Sequence, residues 1–239
     1  MSNARFSMLD PTIATRVVHA DLPLDVELWR LDIPQDEAAL LPMRHTLNAA
    51  ELQRASQYRR LVDRTCFVVT RHMLRALLAA RTGESAETLQ FETNAHGKPS
   101  LRDYPALAFN VSHSGNQALI ALSARRTIGV DIEKLDAALN WREISEVALS
   151  ADEYTQVDSL PDDVQPQMFL RCWTAKEALL KATGLGIAVA DVLRATTVDP
   201  RSEDVQCLQV RSLELAPQPL CFRWIDGPTG YVCCIAWGA

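Results

Sequence analysis

The sequence predicts an α+β fold in which helices are followed by a short antiparallel sheet, once in each half of the chain. Apolar residues recur with helical spacing over residues 51–80 and again over residues 169–184. Each region precedes three closely spaced segments with strand-like alternation. With 239 residues, 48% of them hydrophobic and 23% charged, the chain is long enough to bury a core as one large domain or two small ones.

The composition argues against several classes of function. A formal charge of −6 speaks against nonspecific nucleic-acid binding. No apolar run is long enough to cross a membrane, and there is no signal-peptide pattern, so we expect a cytoplasmic protein with no membrane or nucleic-acid partner. We expect reduced core thiols rather than disulfides or a zinc site, because no C-x-x-C motif occurs. The cysteines are Cys66, Cys172, Cys207, Cys221, Cys233 and Cys234.

The first elements are a strand at residues 26–31 and one or two helices over residues 51–80. This helical region is rich in arginine and contains only Glu51 and Asp63 as acids. Arginine's planar fork suits phosphate oxygens, although a solvated helix face is the commoner role of any single arginine. The arginines are Arg54, Arg59, Arg60, Arg64, Arg71, Arg75 and Arg81.

Three strand candidates follow at residues 106–112, 117–123 and 127–134. The short polar turns between them predict an antiparallel meander. Ser112 and His113 lie at the first turn, where a histidine is either structural or a cationic phosphate contact. Upstream, Gly97, Lys98 and Pro99 form a turn that presents the lysine and lets a ligand approach the backbone.

The third of these strands carries two carboxylates on one face. In the sequence GVDIE at 129–133, alternation places Asp131 and Glu133 opposite the apolar Val130 and Ile132. Neighbouring carboxylates repel each other, and two of them together with phosphates and water are the usual ligands of Mg²⁺. The alternative is a half-exposed strand with its polar residues outward, which explains many D-x-E sequences.

The pattern of the second half predicts a helix at residues 141–149. Ser150 and Glu153 then have the spacing of a capping box that opens another helix. After residue 186, strand-like alternation returns at residues 205–210, 220–225 and 231–237, with turns at 216–217 and 226–228.

Residues 169–184 predict a buried helix that carries charged groups. Lys176 points into the middle of an apolar arc, so its ammonium must be paired or must reach solvent along its stem. Glu177 and Lys181 lie together at i and i+4 on the edge of that arc. Gly184 ends the helix as a C′ glycine. The arc comprises Phe169, Cys172, Trp173 and Leu180, and we expect Cys172 and Trp173 to have only a core role.

Four motifs in this order resemble the signature of 4′-phosphopantetheinyl transferases. They are GKP at 97–99, FNVSHS at 109–114, GVDIE at 129–133, and WTAKEA at 173–178 followed by Lys181. The resemblance covers roughly residues 50–190 and is best to the long single-chain class, which is similar to the surfactin-synthetase activator. It implies an α+β fold of two similar halves related by a pseudo-two-fold axis, each a helix packed on a short antiparallel sheet. The halves would be residues 1–127 and 128–239, with the metal-binding motifs in the second.

The resemblance also implies a set of site residues for coenzyme A and Mg²⁺. Asp131, Glu133 and Glu177 would hold Mg²⁺ against the diphosphate of coenzyme A, and Lys181 would neutralise a phosphate oxygen. The residues implied at the adenosine 3′-phosphate end are Arg71, Lys98, Pro99, Ser112 and His113. Some relatives carry an arginine near the position of Cys66, and Arg64 is the substitute that this sequence offers.

The reaction implied is attack by a serine hydroxyl of an apo carrier protein on coenzyme A, with 3′,5′-ADP as the leaving group. Glu177 is our candidate for the base, directly or through a metal-bound water. Glu153 resembles a family position sometimes given that role, but we favour its capping interpretation. The acceptor would be an acyl, aryl or peptidyl carrier domain. We expect a monomer, since a protein of two similar halves has less need of a partner.

Two other functions fit the same residues. One is a Mg²⁺-dependent pyrophosphohydrolase acting on a coenzyme A-like substrate, which would cleave coenzyme A without an acceptor. The other is a module that binds coenzyme A or a carrier protein without turnover.

Overall fold

Two four-stranded antiparallel sheets form the frame of the fold. The computed structural model describes residues 10–136, 138–184, 190–208 and 219–239. The first sheet has the order β1 (Ala14–Val17), β2 (Val26–Asp32), β6 (Gln117–Ser123), β5 (Ala108–Ser114). The second has the order β7 (Ile128–Lys134), β10 (Tyr231–Gly238), β9 (Leu220–Ile225), β8 (Gln206–Leu208). A separate hairpin pairs β3 (Phe91–Thr93) with β4 (Pro99–Leu101).

The helices cover the outer faces of the sheets, and the α+β prediction is confirmed. They are α1 (Ala49–Gln57), α2 (Leu61–Thr82), α3 (Trp141–Ala148), α4 (Ala151–Asp158), α5 (Gln165–Thr183) and α6 (Ala190–Ala195), with a 3₁₀ segment at Glu37–Thr46. Gly184 ends α5 in the left-handed conformation, at φ 79°, as the sequence predicted. No helix in the described ranges is long and apolar enough to span a membrane.

The buried apolar residues divide into three clusters. One cluster joins α2 to the first sheet, and a second joins α5 to the second sheet. The third contains residues of both sheets, including Leu28 of β2 and Val130 of β7. Because β7 contributes its apolar face to this shared core, its other face is left for α5. The pseudo-two-fold relation and the boundary at residue 127 remain predictions.

The predicted three-strand meander is wrong for its third strand. β5 and β6 pair as expected, but β7 joins the second sheet and pairs with β10, where Val130 lies opposite Ile235. Short turns predict consecutive strands, but they do not decide which edge a strand joins. Here β5 and β7 lie at the edges of different sheets, and side chains rather than a ladder connect them.

The expectation that all six cysteines are free is also wrong. Cys207 of β8 and Cys221 of β9 lie directly opposite each other and form a disulfide, with their Cα atoms 4.0 Å apart. Strand register creates this pair, and register is not visible in cysteine spacing. Of the predicted strand at 205–210, residues 209 and 210 lie outside the described residues, as does the turn at 216–217.

Lys176 has the partner that the sequence required. Its Nζ lies 2.5 Å from Glu153 Oε2 and donates to the carbonyls of Ala148 and Leu193. Glu153 also closes the predicted capping box with Ser150. Both charged side chains are almost fully buried, at 1% and 0% exposure, so the pair joins α5 to α4 in the core.

We expect Lys176→Met to lower the free energy of unfolding by about 3–5 kcal/mol, because it leaves a buried carboxylate without a counter-ion. Urea unfolding of the purified protein measures the change. The double variant Lys176→Met/Glu153→Gln removes both charges and should lose less stability than the single variant. A single variant within about 1 kcal/mol of wild type would contradict a structural role for the pair.

Candidate active site

Polar side chains of β5 connect it to β7 along the seam between the two sheets. Ser112 Oγ donates to Asp131 Oδ1 at 2.8 Å, and Ser114 Oγ donates to Glu133 Oε2 at 2.9 Å. One step earlier, Asn110 Oδ1 accepts a hydrogen bond from a backbone N–H of β7 at 2.9 Å. Alternation on β5 therefore sends three polar side chains to the strand that carries the two acids. The seam fixes the orientation of both carboxylates.

Close packing of α5 on β7 brings the helical charges to the same place. Gly129 has no side chain, and a Cβ there would lie 2.5 Å from the Ala182 nitrogen and closer still to the Ala178 carbonyl oxygen. The helix backbone thus rests directly on the strand. Glu177 and Lys181, one turn apart on this helix, consequently lie beside the acids of β7.

Lys181 forms an ion pair with Asp131 across the cleft between helix and strand. Lys181 Nζ lies 2.6 Å from Asp131 Oδ1 and 3.0 Å from Ser112 Oγ. The Asp131 side chain is 4% exposed and that of Lys181 is 26% exposed, so the lysine reaches inward from the rim. This geometry explains how the GVDIE motif at 129–133 and the WTAKEA motif at 173–178 with Lys181 form one site, although about forty residues separate the two motifs.

Two of the three acids keep a buried oxygen unpaired. Asp131 Oδ2 and Glu177 Oε1 have no hydrogen-bond partner among the described residues. Burial raises the pKa of Glu177 to about 7, and the charges of Asp131 and Glu133 add to that rise while Lys181 opposes it. Burial and the Asp131 charge also raise the pKa of Glu133. A cluster of this kind attracts a proton or a cation.

The three carboxylates do not form a ready-made metal site. Within the residues that the structure describes, no three His, Cys, Asp or Glu groups are arranged to hold a metal ion. In this structure, Lys181 Nζ pairs with Asp131 and Ser114 Oγ donates to Glu133. The assignment of Asp131, Glu133 and Glu177 to Mg²⁺ stays a prediction. The donor set itself suits Mg²⁺, because the ligands are all oxygen and two buried oxygens are unpaired.

Lys98 joins the same helix and strand through backbone carbonyls. Its Nζ donates to the carbonyls of Ile128, Lys181 and Ala182 at 3.2, 2.7 and 3.0 Å. Burial lowers the pKa of Lys98 to about 8, whereas the carbonyl acceptors favour the charged ammonium. Since its three N–H groups already have acceptors, Lys98 links β7 to the last turn of α5. The phosphate contact predicted for it stays a prediction.

We expect Lys98→Met to lower the free energy of unfolding by at least about 2 kcal/mol, because hydrogen bonds to a charged donor are lost and carbonyls are left unpaired. Chemical denaturation measures this loss. Lys134→Met removes an exposed lysine at the end of β7 and serves as the control. Unchanged stability together with a raised requirement for the bound ligand would instead indicate a pure ligand contact.

Two cavities flank the ion pair between Lys181 and Asp131. A cavity of about 560 Å³ lies between α2 and β5 and is lined by Arg71 and His113, among others. A second cavity, of about 310 Å³, is lined by Lys98, Pro99, Glu177 and Lys181 with neighbouring residues. Arg71 and His113 thus line one cavity, and Lys98, Pro99, Glu177 and Lys181 line the other. An elongated ligand with separated anionic groups matches this arrangement.

Among the arginines, Arg54, Arg60 and Arg71 line the larger cavity. The Arg71 guanidinium stacks over Phe91 at 4.8 Å and lies 3.5 Å from Glu51. Arg64, the substitute that we considered, pairs with Glu37 at 2.9 Å instead. Cys66 lies on the cavity wall.

Sequence reasoning missed three contributors to this site. Asn110 and Ser114 position β7, and the signal that could have revealed them is the alternating N-x-S-x-S pattern placed shortly before G-x-D-x-E. Trp173, which we expected to be only core, is half-buried, and its hydrogen bond to Glu133 offsets part of the rise in the pKa of that carboxyl. Glu153, the rival base, is fully buried and committed to Lys176, the capping box and Val198.

The chain matches two descriptions of one family of enzymes. Residues 127–236 match the 4′-phosphopantetheinyl transferase superfamily, and residues 33–125 match the 4′-phosphopantetheinyl transferase N-terminal family. The first match contains Asp131, Glu133, Glu177 and Lys181. The second contains Arg71, Lys98, Ser112 and His113.

Several relatives with this activity in their names are similar over much of the chain. The 4′-phosphopantetheinyl transferase HetI of Nostoc is 35% identical over 201 residues, which cover 82% of this chain and 85% of the relative. AcpT of Escherichia coli is 33% identical over 160 residues, covering 64% of this chain and 80% of the relative. Sfp of Bacillus subtilis is 30% identical over 117 residues, about half of each chain (49% and 51%).

Proposed function

We propose, because the chain belongs to the 4′-phosphopantetheinyl transferase family, that it moves the 4′-phosphopantetheine group of coenzyme A to a serine hydroxyl of an apo carrier protein. Transfer to carrier proteins follows from membership of the family. The Mg²⁺ requirement, the release of 3′,5′-ADP and the residue roles below are our proposals. The observation that supports them best is the group of Asp131, Glu133, Glu177 and Lys181, in which Lys181 pairs with Asp131 and both helical residues line the smaller cavity.

In this proposal, coenzyme A lies along the seam with its anionic groups on the cations. Arg71 and His113 bind the 3′-phosphate from the larger cavity. Ser112, whose Oγ donates to Asp131, is assigned to the same end of the ligand. Lys181 contacts the diphosphate, while Lys98 and Pro99 form the wall of the smaller cavity. Burial and the Lys181 ammonium lower the pKa of His113, so an arriving phosphate would raise it again and gain a charged partner.

Asp131, Glu133 and Glu177 would hold Mg²⁺, and their unpaired buried oxygens support this assignment. When bound, the ion would neutralise charge that develops on the diphosphate during transfer. The chain itself holds the ligand in position through the basic side chains of both cavities. Positioning of this kind accounts for much of the rate in phosphoryl transfer.

The proton of the acceptor serine needs a base, and we assign that role to Glu177. Its Oε1 has no hydrogen-bond partner among the described residues, so this oxygen offers an acceptor for the proton. Glu177 also lines the smaller cavity, so it faces space that an acceptor can enter. Glu153 is unsuited, because both of its oxygens are engaged in the core.

Mass spectrometry of apo carrier proteins tests the function. Acyl, aryl and peptidyl carriers are each incubated with coenzyme A, Mg²⁺ and this protein. The expected result is a mass increase of one phosphopantetheine group on at least one carrier, with 3′,5′-ADP released in equal amount. Removal of divalent ions by EDTA should stop the reaction, and added Mg²⁺ should restore it.

The outcomes separate the rival functions. Cleavage of coenzyme A without any carrier would indicate a pyrophosphohydrolase. Binding of coenzyme A with no mass change on any carrier would indicate a module without turnover. Light scattering in the same samples tests the further proposal that the enzyme acts as a monomer.

A further inference from the structure

The ion pair between Lys181 and Asp131 lies at the position where the proposed metal ion would make contact. Lys181 Nζ is 2.6 Å from Asp131 Oδ1, and Ser112 Oγ donates to the same oxygen at 2.8 Å. The second oxygen, Asp131 Oδ2, is buried and has no hydrogen-bond partner in the described part of the chain. Asp131 Oδ1 therefore accepts two hydrogen bonds, whereas Oδ2 accepts none from the described residues.

The charges around the pair are unbalanced. When Asp131, Glu133 and Glu177 are ionised, Lys181 is the cation that pairs with this group, which leaves a surplus of two negative charges. Lys98, which contacts the same helix and strand, gives its donors to backbone carbonyls. Among the described residues, the ammonium of Lys181 thus compensates Asp131, and Glu133 and Glu177 form no ion pair of their own.

Lys181 is also the member of the group that is free to move. It stands on the last turn of α5, its side chain is 26% exposed, and it lines the smaller cavity. Its ammonium is a point charge on a flexible stem, so it can turn toward an anion in that cavity. Asp131, in contrast, is held by the seam and is 4% exposed.

From this arrangement we infer that the Lys181 ammonium stands in for the divalent cation in the free enzyme, and that the diphosphate of coenzyme A draws it away from Asp131. The inference rests on the proposed function and adds an order of events to it. Without coenzyme A, the metal ion competes with Lys181 for Asp131. With coenzyme A, the lysine has a new anionic partner and Asp131 is released. Metal and coenzyme A therefore strengthen each other's binding.

A second consequence concerns the free protein. Lys181 keeps the buried Asp131 charge paired until both ligands are present, which avoids an uncompensated charge in the core. Without ligands, the three acids and Lys181 then keep their folded positions with Asp131 paired.

Binding of Mn²⁺, measured by electron paramagnetic resonance, tests the inference without any turnover. Wild type and Lys181→Met are titrated with Mn²⁺, each with and without coenzyme A and with no carrier protein present. Without coenzyme A, the variant should bind Mn²⁺ about tenfold more tightly than wild type, in the range usual for coupled sites. With coenzyme A, wild type should tighten strongly and the advantage of the variant should disappear.

Lys134→Met is the matched control, because it removes a positive charge next to Glu133 but does not contact Asp131. An equal gain in Mn²⁺ affinity in this control would overturn the inference, since the effect would be a general change of charge. Unchanged or weaker Mn²⁺ binding by Lys181→Met and by Lys181→Gln, both shown to be folded by circular dichroism, would also overturn it. Failure of wild type to bind Mn²⁺ even with coenzyme A would refute the metal requirement itself, and this inference with it.

Discussion

Replacing Asp131 with alanine should reduce phosphopantetheine transfer by at least about a hundredfold, the scale on which loss of a charge-stabilising group slows catalysis. Asp131 is the most buried acid of the β7 pair, and it receives hydrogen bonds from Ser112 and Lys181. Its removal takes away a proposed Mg²⁺ ligand and leaves Lys181 without its acidic partner. Mass spectrometry of a carrier protein under initial-rate conditions measures the loss.

Two further variants test whether the loss of transfer in Asp131→Ala comes from the missing charge at this position. Asp131→Asn keeps the size of the side chain and an acceptor oxygen, so equal inactivity in this variant shows that the charge is required. Asp136→Ala, an exposed acid beyond the end of β7, should retain full activity. Near-normal transfer by Asp131→Ala, with its fold intact by circular dichroism, would refute the site.

Gly129→Ala should lower the free energy of unfolding by about 3 kcal/mol or more, the upper end of the cost of overpacking a core. The new Cβ would lie 2.5 Å from the Ala182 nitrogen and nearer still to the Ala178 carbonyl oxygen. Both obstacles are backbone atoms of α5, so no side-chain rotation relieves the clash and the helix must move off β7. Denaturant titration measures the stability, and the transfer assay measures the site.

The same displacement separates Glu177 and Lys181 from Asp131, so activity should fall even in the fraction that remains folded. Gly230→Ala provides the comparison. Gly230 has φ 79° and nothing near its missing Cβ, so alanine there should cost about 1–2 kcal/mol of backbone strain and leave the site intact. Wild-type stability in Gly129→Ala would mean that the helix does not rest on the strand as described.

Several features could be predicted from the sequence because they depend on neighbours in the chain. The capping box of Ser150 and Glu153 and the C′ glycine at Gly184 are local, and both occur as predicted. The alternation that separates Asp131 from Val130 is likewise a property of a single strand. Lys176 could be predicted to need a partner, since an unpaired ammonium in an apolar arc is too costly.

Other features depend on which elements meet, and one sequence does not specify that. The sequence predicted that β7 pairs within a meander. In the structure β7 pairs with β10, and its apolar face packs in the core shared by the two sheets. The disulfide between Cys207 and Cys221 follows from the register of β8 and β9. The resemblance implied a phosphate contact for Lys98, which stays a prediction, and the folded chain adds three backbone carbonyls as partners of its ammonium.

The sequence by itself determined the family and the α+β class, because motifs, periodicity and caps depend on residues that are close together along the chain. The tertiary structure alone decided which cation rests on Asp131, and it assigned that place to Lys181, fifty residues away. The reason is that an ion pair depends on the distance between two charges in space. That distance is set by how closely α5 approaches β7 over Gly129, and no local pattern records it.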